Sequence, residues 1–306
     1  MSGADSASDL DVGQTTERLS TVLKSLDEFD KLEVRAVINA LPSPSRREQC
    51  FIGTYRRSAG NIVTLQELKS AKHFQAIVML ARTLFELAVD IRLLGRLSDG
   101  CLKMLEFVDA EKLRCARKVL TFKKAYPDSK IDISPYAAFI SSNEQRIEAT
   151  RRTLWQSSAT PQHWSGMKMS ERAKLLGPLF EEIYEVHYPY LSWQVHSGLT
   201  GVVNLNAETF TIMSGQAFKL AGDSFRETLL AMVEEFKLEN TNPHIKRKLE
   251  AARLLPFADG PEQILARRQR GIYRHDRWRF CALGCHELPS CARVSYGHFY
   301  GSAEQL

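Results

Sequence analysis

The sequence predicts an all-α fold, a multi-helix bundle around a long central apolar helix, with an irregular C-terminal tail. Three observations lead there. Over the first 243 residues apolar positions recur at helical spacing, with no sustained strand alternation. Residues 64–97 are strongly apolar and carry a thin charged stripe. After Pro256 the periodicity stops, and the chain becomes rich in Arg, Cys, His and Gly.

The elements follow in order. Residues 1–12 are a polar lead-in expected to be disordered. A helical domain is expected over 13–255. Its first helix runs from about Thr15 to Leu41 and stops at Pro42 and Pro44. A second covers about Ser45 to Ala59 and ends at Gly60. The central helix comes next, opened by Thr64-Leu65-Gln66-Glu67, which fits a capping box. At about 100° per residue, Gln75, Met79, Arg82, Glu86 and Asp90 fall on one strip. Apolar side chains from Phe74 to Leu94 cover most of the rest. The strip is either the one wet face of this helix or the wall of a pocket.

A further helix is expected from about Asp109 to Ala125, ahead of Tyr126-Pro127. Ser134-Pro135 supplies an N-cap and a first-turn proline for a helix reaching Trp155. Residues 157–169 read as a loop, and Ser170 caps a short helix that stops at Gly177. Helical pieces follow at 178–187 and 190–197. Residues 198–213 are ambiguous, and 201–206 are compatible with a short extended piece. A last long helix spans about Gln216 to Leu238, with a basic coda at 244–255.

Composition bounds the function classes. The chain has 306 residues, 44% hydrophobic and 25% charged, as in an ordinary globular protein. No apolar run reaches the length of a membrane span, because Arg82, Glu86, Asp90 and Arg92 interrupt the best one. The polar N-terminus is not a secretory signal. A cytoplasmic protein whose six cysteines are free thiols is therefore expected. The net charge of +5 lies wholly in residues 244–306, which hold eleven Lys+Arg against six Asp+Glu. A polyanionic partner would belong to that tail. Apolar helix faces leave room for a homo-oligomer. There is no phosphate-binding G-x-x-x-x-G-K motif, no G-x-G-x-x-G, no H-E-x-x-H and no EF-hand loop.

Several constellations have the residue types of a site. Arg82 and Glu86 stand four apart, so their side chains meet on a helix. Ser192 and His196 also stand four apart, and a serine beside a histidine suggests nucleophilic catalysis. A triad needs an orienting acid and an oxyanion hole as well, and no G-x-S-x-G elbow is present. The alternative is a hydrogen-bonded histidine at a helix contact, with Tyr188, Tyr190 and Trp193 as packing. In the tail, Cys281, Cys285, His286 and Cys291 offer four zinc donors. Their spacing departs from paired C-x-x-C, and adjacent Cys285 and His286 would strain to share one ion. Arg-to-His spacings of the kind helical ribonucleases use occur at Arg268 and Arg270 to His275, and at Arg293 to His298. Composition alone accounts for that frequency.

Three pieces carry a resemblance: Ala81-Arg82-Thr83-Leu84-Phe85-Glu86, then His163-Trp164-Ser165-Gly166, then Tyr190-Leu191-Ser192 with His196. In that order and at those separations they resemble an uncharacterised bacterial all-helical family, domain of unknown function 5677, over about residues 45–240. The resemblance implies an all-helical cytoplasmic fold and no established reaction. It also implies a grouping, since Arg82, Glu86, Trp164, Ser192 and His196 correspond to the family's characteristic positions.

Three function classes remain. The first is a polar pocket of Arg82, Glu86, Ser192 and His196 that binds a ligand or protein partner. The second is a nucleic-acid hydrolase of a defence or toxin system, with His196 as acid or base, Glu86 tuning it and Arg82 holding a phosphate. The third is nucleic-acid binding by the tail (256–306), itself expected to be poorly ordered. There Arg267, Arg268, Arg270, Arg274, Arg277 and Arg279 would contact phosphates, and Tyr273 and Trp278 would stack on bases. The third class predicts binding to single-stranded nucleic acid that weakens steeply with salt and is lost when residues 256–306 are removed, measured by fluorescence anisotropy.

Overall fold

The computed structural model describes residues 20–68, 73–156, 161–195 and 207–253; every element among them is helical. The expected lead-in and the tail beyond residue 253 lie outside the described residues. So does the possible extended piece at 201–206. None of the described helices is long and apolar enough to cross a membrane.

Helix α1 covers residues 20–39 and buries Leu23, Leu26, Val34 and Ile38. Its middle, Asp30–Arg35, is π-helical. A π turn stacks residue i over i+5, and here it brings Arg35 Nη2 to 2.6 Å from Asp30 Oδ2. From the next helix Tyr55 donates its hydroxyl to Asp30 Oδ1 at 2.5 Å. A fully buried carboxyl thus has both oxygens satisfied.

Helix α2, Arg46–Glu67, starts at a capping box in which Ser45 and Glu48 bond each other's backbone N–H. It does not end at Gly60. Ile62 and Leu65 beyond that glycine are fully buried, and their burial carries the helix on. Thr64, expected to cap the central helix, donates its hydroxyl to the Gly60 carbonyl instead. The expected 64–97 helix is therefore the end of α2, a break, and then α3, Phe74–Arg96.

Helix α3 buries twelve residues. Its most extensive neighbour is α8, Ala207–Glu235, which begins well before the expected Gln216. Helix α2 and the two helices of residues 169–195 also pack on it. Three arginines fasten these layers at their edges. Arg47 forks onto Glu235 of α8 (2.6 and 2.7 Å) and reaches the Leu94 carbonyl. Arg92 bridges Glu227 and Glu234. Arg96 donates to the carbonyls of Leu175 and Leu176. Those carbonyls end helix α6, Met169–Leu176, and have no partner inside it.

Helices α4, Gly100–Ala125, and α5, Ser134–Trp155, form an antiparallel hairpin with a small core of Ala110, Leu113 and Ile147, flanked by Phe139 and Ile140. Helix α4 starts nine residues before the expected Asp109. Leu102, Leu105 and Val108 face outward on that first stretch, so no buried stripe marks it.

Helix α6 is capped two residues earlier than expected. Glu171 accepts from the Lys168 N–H, so Ser170 lies inside the helix. Residues 178–195 form one continuous run, α7: α-helical over Pro178–Glu182, π-helical over Ile183–His187, and α-helical over Tyr188–Val195. Pro189 explains the π turn. It has no N–H to give, and its ring crowds the carbonyl four residues back. Helix α9, Ile245–Arg253, matches the basic coda.

Burial holds the Asp30 carboxyl above its ordinary range, against the downward pull of the Tyr55 and Arg35 hydrogen bonds. A carboxyl raised in the folded state contributes stability below its unfolded pKa and loses it as pH rises through the folded value. Asp30→Asn cannot titrate. Its stability deficit relative to wild type should therefore shrink as pH rises from about 4 towards neutrality, measured by urea unfolding across that interval.

Candidate functional site

The polar strip on α3 changes character along the helix. Gln75 and Met79 are exposed, whereas Arg82, Glu86 and Asp90 are partly covered. The cover comes from the segment 161–195, which lays a loop, α6 and α7 against this end of α3.

The first cluster centres on Glu86. Arg82 Nε donates to Glu86 Oε1 at 2.9 Å, as the i,i+4 spacing requires. Tyr188, the first residue after the π turn, donates its hydroxyl to the same oxygen at 2.7 Å. The Arg82 guanidinium lies 4.9 Å from the Tyr188 ring centre, a cation–π contact. Phe85 and Tyr184 flank that ring. Burial, then the bond to Glu86, pushes the Tyr188 phenol up to about 12, so it remains a donor at neutral pH. Ser192 stands one turn beyond Tyr188, and its Oγ is buried with no hydrogen-bond partner. His196 lies outside the described residues, as do Cys281, Cys285, His286, Cys291 and the six tail arginines.

The second cluster centres on Asp90, one turn further along α3. Arg172 Nη1 from α6 lies 2.9 Å from Asp90 Oδ1, and His163 Nε2 lies 3.0 Å from the same oxygen. Arg172 Nη1 also lies 2.8 Å from His163 Nε2, and the Ser165 backbone N–H points at His163 Nδ1 (3.2 Å). The Ser165 hydroxyl lies 2.9 Å from Nδ1 and accepts the Met167 N–H. A chain of carboxylate, imidazole and hydroxyl results. It has the order of a nucleophilic triad, but Ser165 is buried and its oxygen is already engaged. The chain therefore orients and rigidifies the loop.

Backbone geometry holds the loop in place. Trp155 Nε1 donates to the Trp164 carbonyl at 2.7 Å. Gly166 has φ +76°, and a Cβ there would meet the Trp155 ring at 2.9 Å, so only glycine fits. The Trp164 indole N–H and Arg172 Nε, both in buried residues, have no acceptor.

Of the residues singled out from sequence, Arg82 and Glu86 touch directly. Ser192 lies one turn beyond the Glu86 partner Tyr188 on α7, and the Trp164 ring packs 5.2 Å from the His163 ring. Sequence reasoning placed Asp90 on the strip without assigning it partners, and it read Tyr188 as packing. Nothing in the local sequence marked Arg172. Among the described residues no cluster of three or more metal-ligating side chains occurs.

The model of DUF5677, described only as a family of unknown function, matches residues 50–209, more than half of the chain. No curated protein matches the chain, and no solved structure does.

Removing the Asp90 carboxylate leaves the Arg172 guanidinium without its counter-charge. Asp90→Ala should cost about 3 kcal/mol in chemical unfolding. Tyr188→Phe, which deletes one donor and leaves Glu86 paired with Arg82, should cost about 1 kcal/mol.

Proposed function

The chain belongs to the family of unknown function DUF5677, and we propose that it binds a small acceptor-rich ligand, carrying a carboxylate or phosphate, on the covered half of the α3 strip. One observation carries this reading. Two buried N–H donors, Trp164 Nε1 and Arg172 Nε, have no acceptor. A buried unpaired donor costs about 1–3 kcal/mol, and a ligand oxygen would remove that cost. The buried Ser192 hydroxyl adds a third unpartnered group.

In this reading Arg82 and Arg172 supply positive charge, and Glu86 and Asp90 aim them. His196, four residues beyond Ser192 in sequence, contributes to the same site. The resemblance groups Arg82, Glu86, Trp164, Ser192 and His196, which supports the reading. The family itself brings no reaction with it.

The test is a thermal-shift screen of the full chain against carboxylic acids, sugar phosphates and nucleotides. A ligand at about a hundred times its Kd stabilises by roughly 2.7 kcal/mol. That shift should disappear in Trp164→Phe, which keeps a ring but removes the donor, and should shrink in Ser192→Ala. A ligand that shifts Trp164→Phe as much as wild type would place binding elsewhere. A full screen without a shift would leave the clusters as internal struts.

A further inference from the structure

Among the described residues, two thiols outside this region form an unexplained reactive pair. Cys50 lies in the second turn of α2, and Cys101 is the second residue of α4. Their sulfur atoms are 3.1 Å apart across 51 residues of sequence. Cys50 is buried and Cys101 is half-buried. The Cys101 thiol also reaches the Arg46 carbonyl at 3.3 Å. Both sulfurs feel the charge of Arg47, which Glu235 holds in place. Cys115, the other described cysteine, is exposed on the hairpin.

We propose that Cys50 and Cys101 are a reversible dithiol–disulfide couple, a modification site that ties the root of the α4–α5 hairpin to α2. A disulfide needs its sulfurs about 2.05 Å apart. The present separation therefore asks for a shift of about one ångström, which side-chain rotation can supply. The geometry also orders the chemistry. Cys101 is the sulfur that solvent reaches, so it attacks first. Its thiolate attacks a peroxide oxygen, the O–O bond breaks, and the departing hydroxide takes the proton the thiol released and leaves as water, so Cys101 becomes a sulfenic acid. The Cys50 sulfur then attacks the Cys101 sulfur. The S–S bond forms, the S–O bond breaks, and the departing hydroxide leaves as water with the Cys50 proton. Two thiols and one hydrogen peroxide give one disulfide and two waters. Burial, then the bond to Cys101, holds the Cys50 thiol up at about 12. It is therefore a poor first target and acts on a sulfenic acid already beside it.

The bond would close a long loop, which restricts the unfolded chain more than a short one does. Its location matters as well. Apart from these contacts the hairpin packs mainly on itself, around Ala110, Leu113 and Ile147. A covalent tie at its root turns a hinge into a fixed joint.

The experiment treats the full chain with hydrogen peroxide, alkylates the remaining thiols in denaturant, and maps the peptides by mass. The expected result is a Cys50–Cys101 linked peptide two hydrogens lighter than its parts. It should be reversed by dithiothreitol, with Cys115 alkylated in the same sample. The oxidised chain should melt roughly 5–10 °C higher, a gain absent from Cys101→Ser. Recovery of both Cys50 and Cys101 as alkylated thiols overturns the proposal. So does Cys101 over-oxidised to sulfinic acid with Cys50 still free. Both readings come from the wild-type chain and do not depend on a variant folding.

Discussion

Helix α3 is apolar around nearly its whole girth, and the rest of the fold exists to keep water off it. Ile77, Ala81, Leu84, Phe85, Ala88, Ile91 and Leu94 are almost fully buried. At roughly 25 cal/mol per Å² of apolar surface, no amount of helical hydrogen bonding could substitute for that cover. One neighbour cannot wrap a cylinder. Helix α8 takes one side, α2 another, and α6 and α7 a third. The order of the chain follows from this, because segments on both sides of the hairpin must return to the same helix.

Burial of that kind leaves a problem wherever the helix carries charge. The cover that shields Leu87 and Ile91 reaches the edge of the polar strip, where it draws the Asp90 carboxylate largely out of water while the Glu86 side chain stays 38% exposed. Asp90 then needs donors nearby, and Glu86 takes them as well. Helix α6 brings Arg172, the loop brings His163, and α7 brings Tyr188, all from 70 to 105 residues later in the chain. The same carboxylates that need partners also fix where those segments sit. Arg92 and Arg96 repeat the logic at the end of α3 with Glu227, Glu234 and the last carbonyls of α6.

The helical class, the α2 start at Ser45 and the charged strip were legible in the sequence, because each depends on periodicity or on residues three and four apart. The break before α3 was not. Thr64-Leu65-Gln66-Glu67 has the residue types of a capping box, but Ile62 and Leu65 on the same stretch are drawn into the core, and that burial outweighs a local cap. The early start of α4 was missed for the opposite reason, since its apolar groups face outward. Within the site, Arg82–Glu86 is a spacing and could be read directly. Tyr188–Glu86 and Asp90–Arg172 are long-range pairings that no single-sequence pattern encodes. His163 and Trp164 were visible only as part of a resemblance, which groups residues without saying what they touch.

The π turn over Ile183–His187 inserts one residue beyond the ordinary helical count immediately before Tyr188. Each residue rotates a helix by about 100°. The turn therefore sets the phase of everything after it, including which side of α7 meets Glu86. A chain shorter by one residue in this stretch would lose that extra residue, and Tyr188 would swing a quarter-turn or more off its partner. Sequences sharing this architecture should thus tolerate substitution here far better than insertion or deletion. The spacing between Gly177 and Tyr188 is a length constraint, not a composition constraint.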